Sequence, residues 1–594
     1  MKKMKRGAFL KTGALAMLAP LGSSLLLQAA PPFFDKHFFD KDEDLLKRLL
    51  DANDGQVTDL LQSINSATPD FSRKIGSDFA VLSASWCSPG SKYYHDPSVV
   101  ATLEILVGVL VKFQGADGTV NIANLESPPD TAFLIELLTG GAHLLIKDNT
   151  TAVATINSRM KAFLLKSGEA LAVGGVHTPN HRWVISAALA RLHALYPNKK
   201  YTDRIEDWLS EGVFQDSDGH YPERSGIYSG VENAAFISIG RLLNKPFLFD
   251  YVRKNLEMTS YYAEPNGDLV TNDSRRQDQY LSKGILPFYL HYRYLAIKEN
   301  NSHFAGMVKW MEQLAGFKKE VLEKHLFHLL EDPLLQQNLP AVTPPPEHYE
   351  KLFATSSLLR IRNGKKTTTL FGGVDWPLTI ASGRSNSPDF YAFRNGNAVL
   401  KSLRLSTGFF SMGYFYSEGI KKAGNKYILH KKLSIPYYQP LPKNFRNTKG
   451  DYKLSPSIDD RFWNKMDFAN RPVSNVKRLE TTITFSENNG NNELQFQVTG
   501  LVGVPVTIEL CFLEGGTLSG VTEAKGGNSF LEKGKGLYER GGDQIRFGPG
   551  TITHKSITAL EGERYSTHFG SLRTEGMHVY LTGTTPFNHT LIIG

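Results

Sequence analysis

The stretch NLPAVTPPPEHYEK (Asn338–Lys351) divides the sequence into two parts with different hydrophobic periods. Before it, from about Asp42 to Leu335, apolar residues recur at intervals of three and four, as they do on the buried face of a helix. After it, apolar and polar residues alternate, as in AVLKSLRLSTGFF (Ala398–Phe410), which is typical of strands with one buried face. The prolines make the stretch itself a linker. The sequence therefore predicts a helical domain followed by β-sheets.

Nine segments of the first part carry the helical pattern. They are Val100–Phe113, Thr131–Ile146, Ile156–Leu171, Arg182–Tyr196, Tyr201–Val213, Gly230–Leu243, Pro246–Tyr262, Leu281–Lys298 and Phe304–Leu314. Several are apolar on more than one side, so most of their surface should be buried. With one or two helices before Val100, we predict roughly ten to twelve helices in two concentric layers. The predicted helical domain spans residues 31–337, the linker 338–351, and an antiparallel β-sandwich 352–594.

Residues 1–30 have the pattern of a secretory signal. Five basic residues precede an apolar run from Ala14 to Leu27, and the small residues Ala29 and Ala30 follow it. Because the run is short and flanked in this way, we expect export, to the periplasm, and no membrane span. The formal net charge of +8 includes these five basic residues, and residues 1–30 contain no acid, so the remainder carries +3. This balance argues against nucleic-acid binding, which favours a strongly basic surface.

Cofactor and metal motifs are missing from the sequence. It contains no P-loop, dinucleotide-binding fingerprint, nucleophile elbow, HExxH or EF-hand loop in a suitable setting, and its 17 histidines are scattered. Cys87 and Cys511 are the only cysteines and fall in different predicted domains, so no disulfide framework is expected. No cofactor is predicted, although a divalent metal stays open.

The first polar cluster of the helical domain lies in GGVHTPNHRWVISAALARL (Gly174–Leu192). At the predicted helix start, this segment carries His177, Asn180, His181, Arg182 and Trp183. Asn180 suits an N-cap there, because its side chain can accept from the free N–H groups of the first turn. The same helix end also attracts carboxylates. A cap and a wall of a binding site therefore both stay open.

Two further segments repeat this design. DSDGHYPERSGIYSGVENAAFISIGRLL (Asp216–Leu243) opens into a helix and contains Tyr221, Glu223, Arg224, Tyr228, Glu232 and Asn233 near the junction. GDLVTNDSRRQDQYLSKG (Gly267–Gly284) contains Asp273, Arg275, Arg276, Asp278 and Tyr280. A tyrosine at a helix start is often simply half-buried, and such a charged run is often a solvated loop. The arginines could instead bind an anionic sugar through their paired N–H donors.

Taken together, the signal, helical domain, Pro-rich linker and β-sandwich resemble the heparinase II/III-like polysaccharide lyases. Asn180-His181 at a helix start is similar to the Asn-His pair of that family. DGHYPERSGIY (Asp218–Tyr228) is similar to its segment of Asp-Gly, then Glu, then Tyr. The resemblance implies an (α/α) toroid followed by an antiparallel β-sandwich, and a lyase acting on an acidic polysaccharide or oligosaccharide.

Lyases of this kind remove the C5 proton of a 4-linked uronic acid and expel the oxygen at C4. The resemblance implies that Tyr228 serves as base, acid or both, and that Asn180, His181 and an arginine neutralise the substrate carboxylate to stabilise the enolate-like intermediate. Glucuronate is the expected uronic acid, and an exo-acting glucuronate lyase of the Bacteroidetes type is the narrower expectation. The residues expected to bind substrate are Arg182, Trp183, Arg224, Arg275, Arg276, Tyr280, Arg384 and Asn386.

The β-domain departs from the family pattern. The family motif H-x-H-x-D-x-x-x-F corresponds to RSNSPDFYAF (Arg384–Phe393), in which Asp389 and Phe393 match but Ser385 and Ser387 replace the histidines. This departure argues against a histidine base or zinc ligand from this domain. Under the lyase interpretation, Tyr228 or His181 must then take the proton.

Two alternatives stay open on sequence. A glycoside hydrolase on the same toroid would need two carboxylic acids about 5–10 Å apart, and Glu223, Glu232, Asp273 and Asp278 are available for that role. A non-catalytic glycan-binding protein could use the abundant aromatic residues as stacking surfaces. A lyase creates a double bond that absorbs ultraviolet light, whereas a hydrolase and a binding protein do not.

Overall fold

The computed structural model describes residues 40–66, 69–276, 278, 283–373, 379–380, 383–384, 387–410, 412, 414–447, 449–451, 466–488, 490–524, 528–555, 557 and 575–594. The predicted signal peptide, residues 1–30, lies outside these ranges, so export stays a prediction. Tyr280 and Asn386 also lie outside the described residues, as does the side chain of Arg384.

Helices occupy the first part of the described chain. They are α1 (Glu43–Ser66), α2 (Lys74–Trp86), α3 (Pro97–Phe113), α4 (Pro128–Asp148), α5 (Ala154–Val173), α6 (His181–Leu195), α7 (Lys199–Ser210), α8 (Gly226–Leu242), α9 (Leu248–Tyr262), α10 (Tyr289–Lys298), α11 (Ser302–Met311) and α12 (Leu326–Glu331). Each predicted helical segment overlaps one of them. The segment expected from Leu281 begins too early, because α10 starts only at Tyr289, after a 3₁₀ turn that contains Pro287.

The helices form two layers. Helices α2, α4, α6 and α8 pack side by side in succession, and α12 packs against α2 and α4. Helix α6 is buried along most of its length, whereas α7 buries only Tyr201 and Ile205. The inner helices are therefore apolar nearly all round and the outer helices on one face, as their sequence patterns predict.

A buried ion-pair cluster joins the inner helices at the end opposite the start of α6. The carboxylate of Glu331 on α12 accepts hydrogen bonds from Arg191 on α6 at 2.8 Å and from Arg241 on α8 at 2.7 Å. Burial alone would raise the pKa of this carboxyl, but the two guanidinium groups hold it well below its usual range. The pairs fix α6, α8 and α12 relative to one another.

Strands occupy the second part of the described chain. They are β1 (His348–Phe353), β2 (Leu358–Asn363), β3 (Lys366–Phe371), β4 (Thr379–Ile380), β5 (Gly383–Arg384), β6 (Tyr391–Asn395), β7 (Ala398–Thr407), β8 (Ile420–Ala423), β9 (Lys426–Tyr438), β10 (Val473–Asn488), β11 (Asn491–Gly500), β12 (Pro505–Phe512), β13 (Thr517–Ser519), β14 (Thr522–Ala524), β15 (Asn528–Phe530), β16 (Gly536–Arg540), β17 (Asp543–Gly548), β18 (Met577–Thr584) and β19 (Phe587–Ile593).

These strands form a sandwich of two large sheets. One has the strand order β1-β2-β3-β6-β7-β12-β18-β15-β14 and the other β13-β16-β17-β19-β11-β10-β9-β8, while β4 and β5 pair separately. Among the described strands, β15 and β18 pair in parallel and the remaining pairs are antiparallel. Alternate residues of both sheets, such as Leu403, Ile508, Ile483 and Phe496, meet in one apolar core. The predicted fold class, helices followed by an antiparallel sandwich, is confirmed.

The sandwich packs directly on the helical half, and residues Lys41–Gly594 form one compact unit. Glu264, just after α9, accepts from Arg360 of β2 at 2.8 Å and from the hydroxyl of Thr367 of β3 at 2.5 Å. Phe353 and Leu358 belong to the same apolar core as the helices. The loops that follow α9 are therefore fixed by the first sheet.

Two sequence expectations concern the chain as a whole. Cys87 and Cys511 are both free thiols in the structure. Of the helices in the described ranges, none combines the length and apolar character needed to cross a membrane.

Candidate active site

The first two polar clusters of the sequence meet in the structure. Asn180 occupies the position just before α6, but its side chain makes no capping hydrogen bond to that helix. Its Nδ2 instead donates to Oε1 of Glu223, from the loop before α8, at 2.5 Å. Both residues are buried, with Asn180 fully inaccessible to solvent. The asparagine side chain therefore joins the starts of two neighbouring inner helices.

Arg276, from the third cluster, extends this connection to Tyr228. Its Nη1 donates to Oε2 of Glu223 at 2.6 Å, and its Nη2 donates to the phenolic oxygen of Tyr228 at 2.9 Å. The guanidinium carbon lies 4.1 Å from the centre of the tyrosine ring. We call Asn180, Glu223, Arg276 and Tyr228 the Tyr228 network. Arg276 and Glu223 are buried, whereas Tyr228 at its end is half-buried.

A buried aspartate positions the two elements that carry Arg276 and Tyr228. Asp278 accepts from the Ser225 hydroxyl at 2.9 Å, from the Gly226 N–H at 3.0 Å and from the Ser274 hydroxyl. The Ser225 hydroxyl oxygen in turn accepts from the N–H of Tyr228 at 3.2 Å and so caps α8. One carboxylate therefore fixes the arginine loop against the first turn of the tyrosine helix.

The neighbouring arginines support loops. Nη1 of Arg275 donates to the carbonyl oxygen of Pro222 at 2.7 Å. Nη2 of Arg224 donates to the carbonyl oxygen of Thr355, in the turn between β1 and β2, at 3.0 Å. Nη1 of Arg182 donates to Glu211 at 2.6 Å. These three arginines were predicted to bind substrate. In the structure, part of each guanidinium is used in contacts that support the surrounding loops.

Trp183 lies in the core and does not line a cleft. Its side chain is 2 % exposed and its ring centre is 5.2 Å from that of Phe236 on α8. A buried indole cannot contact a substrate, so the expectation that Trp183 binds substrate is wrong. Its position on α6 turns it toward α8, which the sequence of a single helix could not reveal.

His181 is neutral at physiological pH. Burial, assisted by nearby His177, Arg276 and Arg73 and opposed by Asp130, lowers the pKa of its imidazole from 6.5 to about 4. Its ring meets that of His177 edge-on at 4.6 Å. At neutral pH the side chain can therefore offer a substrate a hydrogen bond but no positive charge, although the sequence placed it in a carboxylate-neutralising wall.

A cation that the sequence interpretation missed lies on the same side as His181. Arg73 donates to Asp130 and its guanidinium stacks 4.4 Å from the ring centre of Phe133. Phe133 in turn presents its ring edge-on to His181 at 6.3 Å. The Arg73 side chain remains 44 % exposed. No sequence signal marked it, because it precedes α2 and reaches this position only through the packing of α2 and α4.

The β-domain stretch that matches the family motif has mainly structural contacts. Asp389 pairs with Arg404 of β7, and its carbonyl oxygen accepts from Nδ2 of Asn272 at 2.8 Å. Phe393 is 2 % exposed within the sandwich core. Ser387, which replaces one histidine, is buried and accepts from the Asp389 N–H. Within the described ranges, no three His, Cys, Asp or Glu side chains are grouped as metal ligands.

The remaining acids of the clusters are enclosed by protein. Glu223, Glu232, Asp273 and Asp278 are each at most 5 % exposed. Burial, together with the charge of Glu223, raises the pKa of Glu232 well above its ordinary value. Burial likewise raises the pKa of Asp273, which accepts a hydrogen bond from the Tyr262 hydroxyl at 2.8 Å. Solvent reaches Tyr228 far more readily than it reaches these carboxyl groups.

Comparison with known proteins finds solved structures with a similar fold but no match by sequence. No protein-family model matches the chain, and no curated protein matches it. A heparinase III structure matches with 12 % identity and a TM-score of 0.50, over 87 % of this chain and 75 % of that one. A Streptomyces coelicolor A3 chondroitin AC lyase in complex with chondroitin sulphate matches with 13 % identity and a TM-score of 0.50, over 92 % and 79 %.

A Paenibacillus xanthan lyase matches with 11 % identity and a TM-score of 0.54, over 92 % of this chain but only 57 % of that enzyme. At these identities the likeness establishes the fold alone. The chain has the fold of these polysaccharide lyases, an (α/α) toroid followed by a β-sandwich, as its sequence predicted.

Proposed function

We propose that the protein is a polysaccharide lyase that cleaves a 4-linked uronic acid, with glucuronate as the proposed sugar, by β-elimination. The observation that carries this proposal is the hydrogen bond from the Arg276 guanidinium to the phenolic oxygen of Tyr228, 2.9 Å long, at the solvent-accessible end of the Tyr228 network. A tyrosine can act as a base only if its phenolate is stabilised, and a fixed guanidinium supplies that stabilisation.

Tyr228 is proposed to remove the C5 proton and to protonate the departing C4 oxygen. The Tyr228 phenolate takes the proton and becomes neutral, while the negative charge passes to the sugar carboxylate. Donation of that proton to the departing C4 oxygen then restores the phenolate. Arg276 already points at the phenolic oxygen before reaction, so its orientation requires no reorganisation in the transition state. Glu223 holds the other arm of the same guanidinium and Asn180 holds Glu223. The network thus fixes the geometry on which proton transfer depends.

The sugar carboxylate is proposed to lie between Tyr228 and the wall formed by His181 and Arg73. His181 would donate one hydrogen bond as a neutral imidazole, and Arg73, 44 % exposed on the His181 side, would supply the positive charge. The sequence-based expectation assigned this role to Asn180, His181 and an arginine together. Neutralising the carboxylate makes the adjacent C5 proton easier to remove, because less negative charge accumulates in the intermediate.

The buried acids favour this proposal over a hydrolase. A hydrolase needs two carboxyl groups that both reach the glycosidic bond, and the four acids of these clusters are at most 5 % exposed. A non-catalytic binding protein would have no need for a tyrosine and an arginine held in contact by two further buried residues.

The proposed activity is tested by incubating the mature protein with a panel of uronate-containing glycans, namely chondroitin, hyaluronan, heparan sulfate and xanthan. Ultraviolet absorbance and product mass are read together. An unsaturated product supports the lyase and its size separates endo from exo action. A product heavier by one water indicates a hydrolase, and the absence of turnover across the panel contradicts both enzymatic proposals.

Replacing His181 with alanine should lower activity about tenfold, the value of one hydrogen bond of roughly 1.4 kcal/mol, and leave the melting transition of the helical half in place.

The folded state keeps the imidazole neutral, whereas the unfolded chain protonates it near pH 6.5. The stability that this group contributes is therefore lost as the pH falls from about 6.5 to about 4. The variant should lose less unfolding free energy than the parent between pH 7 and pH 5.

The control for this variant is His303→Ala, at an exposed histidine near the start of α11. It should keep both the activity and the pH dependence of the parent. Loss of activity together with loss of the melting transition in His181→Ala would instead assign His181 a purely structural role.

A further inference from the structure

A two-stranded arm extends from the sandwich. Residue His430 of β9 lies at the same height as the end of β3, because neighbouring residues bond to both. The N–H of Glu418 donates to the carbonyl of His430 at 2.9 Å, and the N–H of Gly419 donates to the carbonyl of Gly372, just after β3, at 2.7 Å. Beyond this level β9 continues for eight residues to Tyr438, paired with β10 back to Val473. Because Leu433 still lies opposite Leu479, which pairs with β11, the two-stranded part begins at Ser434. At about 3.3 Å per residue, this part is roughly 16 Å long. We define the arm as residues 431–447 and 466–478 together with Phe410.

Aromatic side chains are exposed along the arm. Tyr437 is 49 % exposed, Tyr438 39 % and Phe445 43 %, whereas Leu429, before the arm, is fully buried. The rings of Tyr437 and Phe410 lie 5.9 Å apart, and those of Tyr438 and Phe468 lie 4.7 Å apart. Exposed apolar surface of this kind is found at binding sites.

The backbone holds Phe410 in an exposed position at an energetic cost. Phe410 has φ of +51°, in the left-handed region that a bulky side chain rarely adopts. The preceding residue, Phe409, is 1 % exposed, whereas Phe410 is 40 % exposed beside Tyr437. Because such a conformation persists only where the surrounding structure imposes it, the exposure of this ring is a built feature of the loop.

The arm is also basic. Its basic residues are Lys431, Lys432, Lys443, Arg446, Arg471, Lys477 and Arg478, and its one acid, Asp467, is buried. Lys431 and Lys432 pair with acids outside the arm. In the part of the chain that the structure describes, Lys443, Lys477 and Arg478 form no ion pair. The arm therefore combines aromatic faces with uncompensated positive charge.

The arm extends from the end of the sandwich that contacts the loops of the candidate active site. At this end the Thr355 N–H donates to Asp218 at 2.7 Å, and Asp389 accepts from Asn272. The loop that carries Phe410 packs on the same region, where the rings of Phe390 and Phe415 lie 5.7 Å apart. A long substrate bound at Tyr228 would therefore lie on the same side of the sandwich as the arm.

We propose that the arm binds an acidic glycan chain at sugars away from the bond that is cleaved. Flat sugar faces would stack on Tyr437 and Phe445, and carboxylates or sulfates would pair with Lys443 and Arg478. The inference rests on the proposed function, since it assigns a second contact to the same polymer. A second site on one chain raises the local concentration of substrate at the first, so the arm acts on polymers and not on short oligosaccharides.

The test uses the Tyr228→Phe protein, so that bound polymer is not degraded, in native gels containing hyaluronan, chondroitin or, as a neutral comparison, dextran. Two double variants are compared with this parent: Tyr437→Ala with Phe445→Ala, and Lys443→Ser with Arg478→Ser. Each should raise the apparent Kd for an acidic polymer at least tenfold. Dextran should not retard any variant. The matched control is Tyr94→Ala, a tyrosine 42 % exposed in the loop between α2 and α3, and should bind like the parent.

Unchanged binding in both double variants, with normal melting transitions, would overturn the proposed arm site. The proposal would also be overturned if acidic polymers did not retard the parent protein, or if the parent bound anionic lipid vesicles through the arm in preference to glycan. The proposed activity is judged separately, in chains that carry either double variant but keep Tyr228. These chains should still convert short oligosaccharides at the wild-type rate. Failure of the arm and failure of the lyase assignment therefore give different results.

Discussion

The Tyr228→Phe protein is expected to lose formation of the unsaturated product, by about 10²–10⁴-fold, while its fold remains intact. Phenylalanine keeps the ring that stacks against the Arg276 guanidinium, 4.1 Å from its centre, and removes only the phenolic oxygen. The group proposed to carry the proton is thereby deleted with little change in packing. Product absorbance at saturating glycan measures the effect, and thermal unfolding measures the fold.

Tyr196→Phe is the matched control for this substitution. Tyr196 is half-buried at the opposite end of α6, far from the Tyr228 network. Its hydroxyl should be dispensable for turnover. Near-normal activity in Tyr228→Phe would remove Tyr228 from the mechanism, and equal losses in both tyrosine variants would point to a general effect on the fold.

Replacing Arg276 with lysine is expected to lower kcat about 10²-fold, the value of one preorganised donor to a catalytic oxyanion, here the Tyr228 phenolate. The guanidinium uses Nη1 for Glu223 and Nη2 for Tyr228 at the same time. A lysine ammonium is a compact point charge that cannot reproduce this fork. Because Glu223 is buried and retains a nearby cation, we expect its pairing to survive better than the contact to Tyr228. The kinetics of a soluble oligosaccharide substrate measure kcat and KM separately.

The adjacent Arg275→Lys variant provides the control. Arg275 donates through Nη1 to the Pro222 carbonyl, a contact that a single ammonium can also make. We expect its kcat to stay within about threefold of the parent, since one neutral hydrogen bond away from the reacting atoms contributes little. If the two lysine variants behaved alike, the specific role of the Arg276–Tyr228 contact would be contradicted.

The same network explains why a buried glutamate stands beside a proposed base. An arginine facing Tyr228 without a carboxylate partner would be an uncompensated buried charge, which is costly. Glu223 balances that charge, and Asn180 donates to the glutamate oxygen that Arg276 does not use. Both oxygens of Glu223 are thereby paired within the network, so that the site can be rigid and still present a cation to the phenolic oxygen.

The sequence was sufficient for the fold class because hydrophobic period is a local property. The change from a helical to an alternating pattern around Asn338–Lys351 separates the helices from the sandwich. The predicted helix starts at Arg182 and Gly230 lie one and four residues after the observed starts at His181 and Gly226. The sequence also placed Tyr228 and Asn180 at adjacent junctions, since loop-to-helix boundaries carry recognisable residues. Periodicity does not describe which face of an inner helix meets which neighbour, and Trp183 was misassigned for that reason.

What only the tertiary structure decided is the partner of each polar group. Arg276 and Arg275 are neighbours in the chain, yet one reaches Tyr228 and the other a loop carbonyl. Burial lowers the pKa of the His181 imidazole, and Arg73, over 100 residues earlier in the chain, adds a smaller contribution in the same direction. Pairing and desolvation depend on distances that close only when remote segments pack. Residue types and their local order are written in the sequence, whereas their charge states and contacts arise from the packed fold.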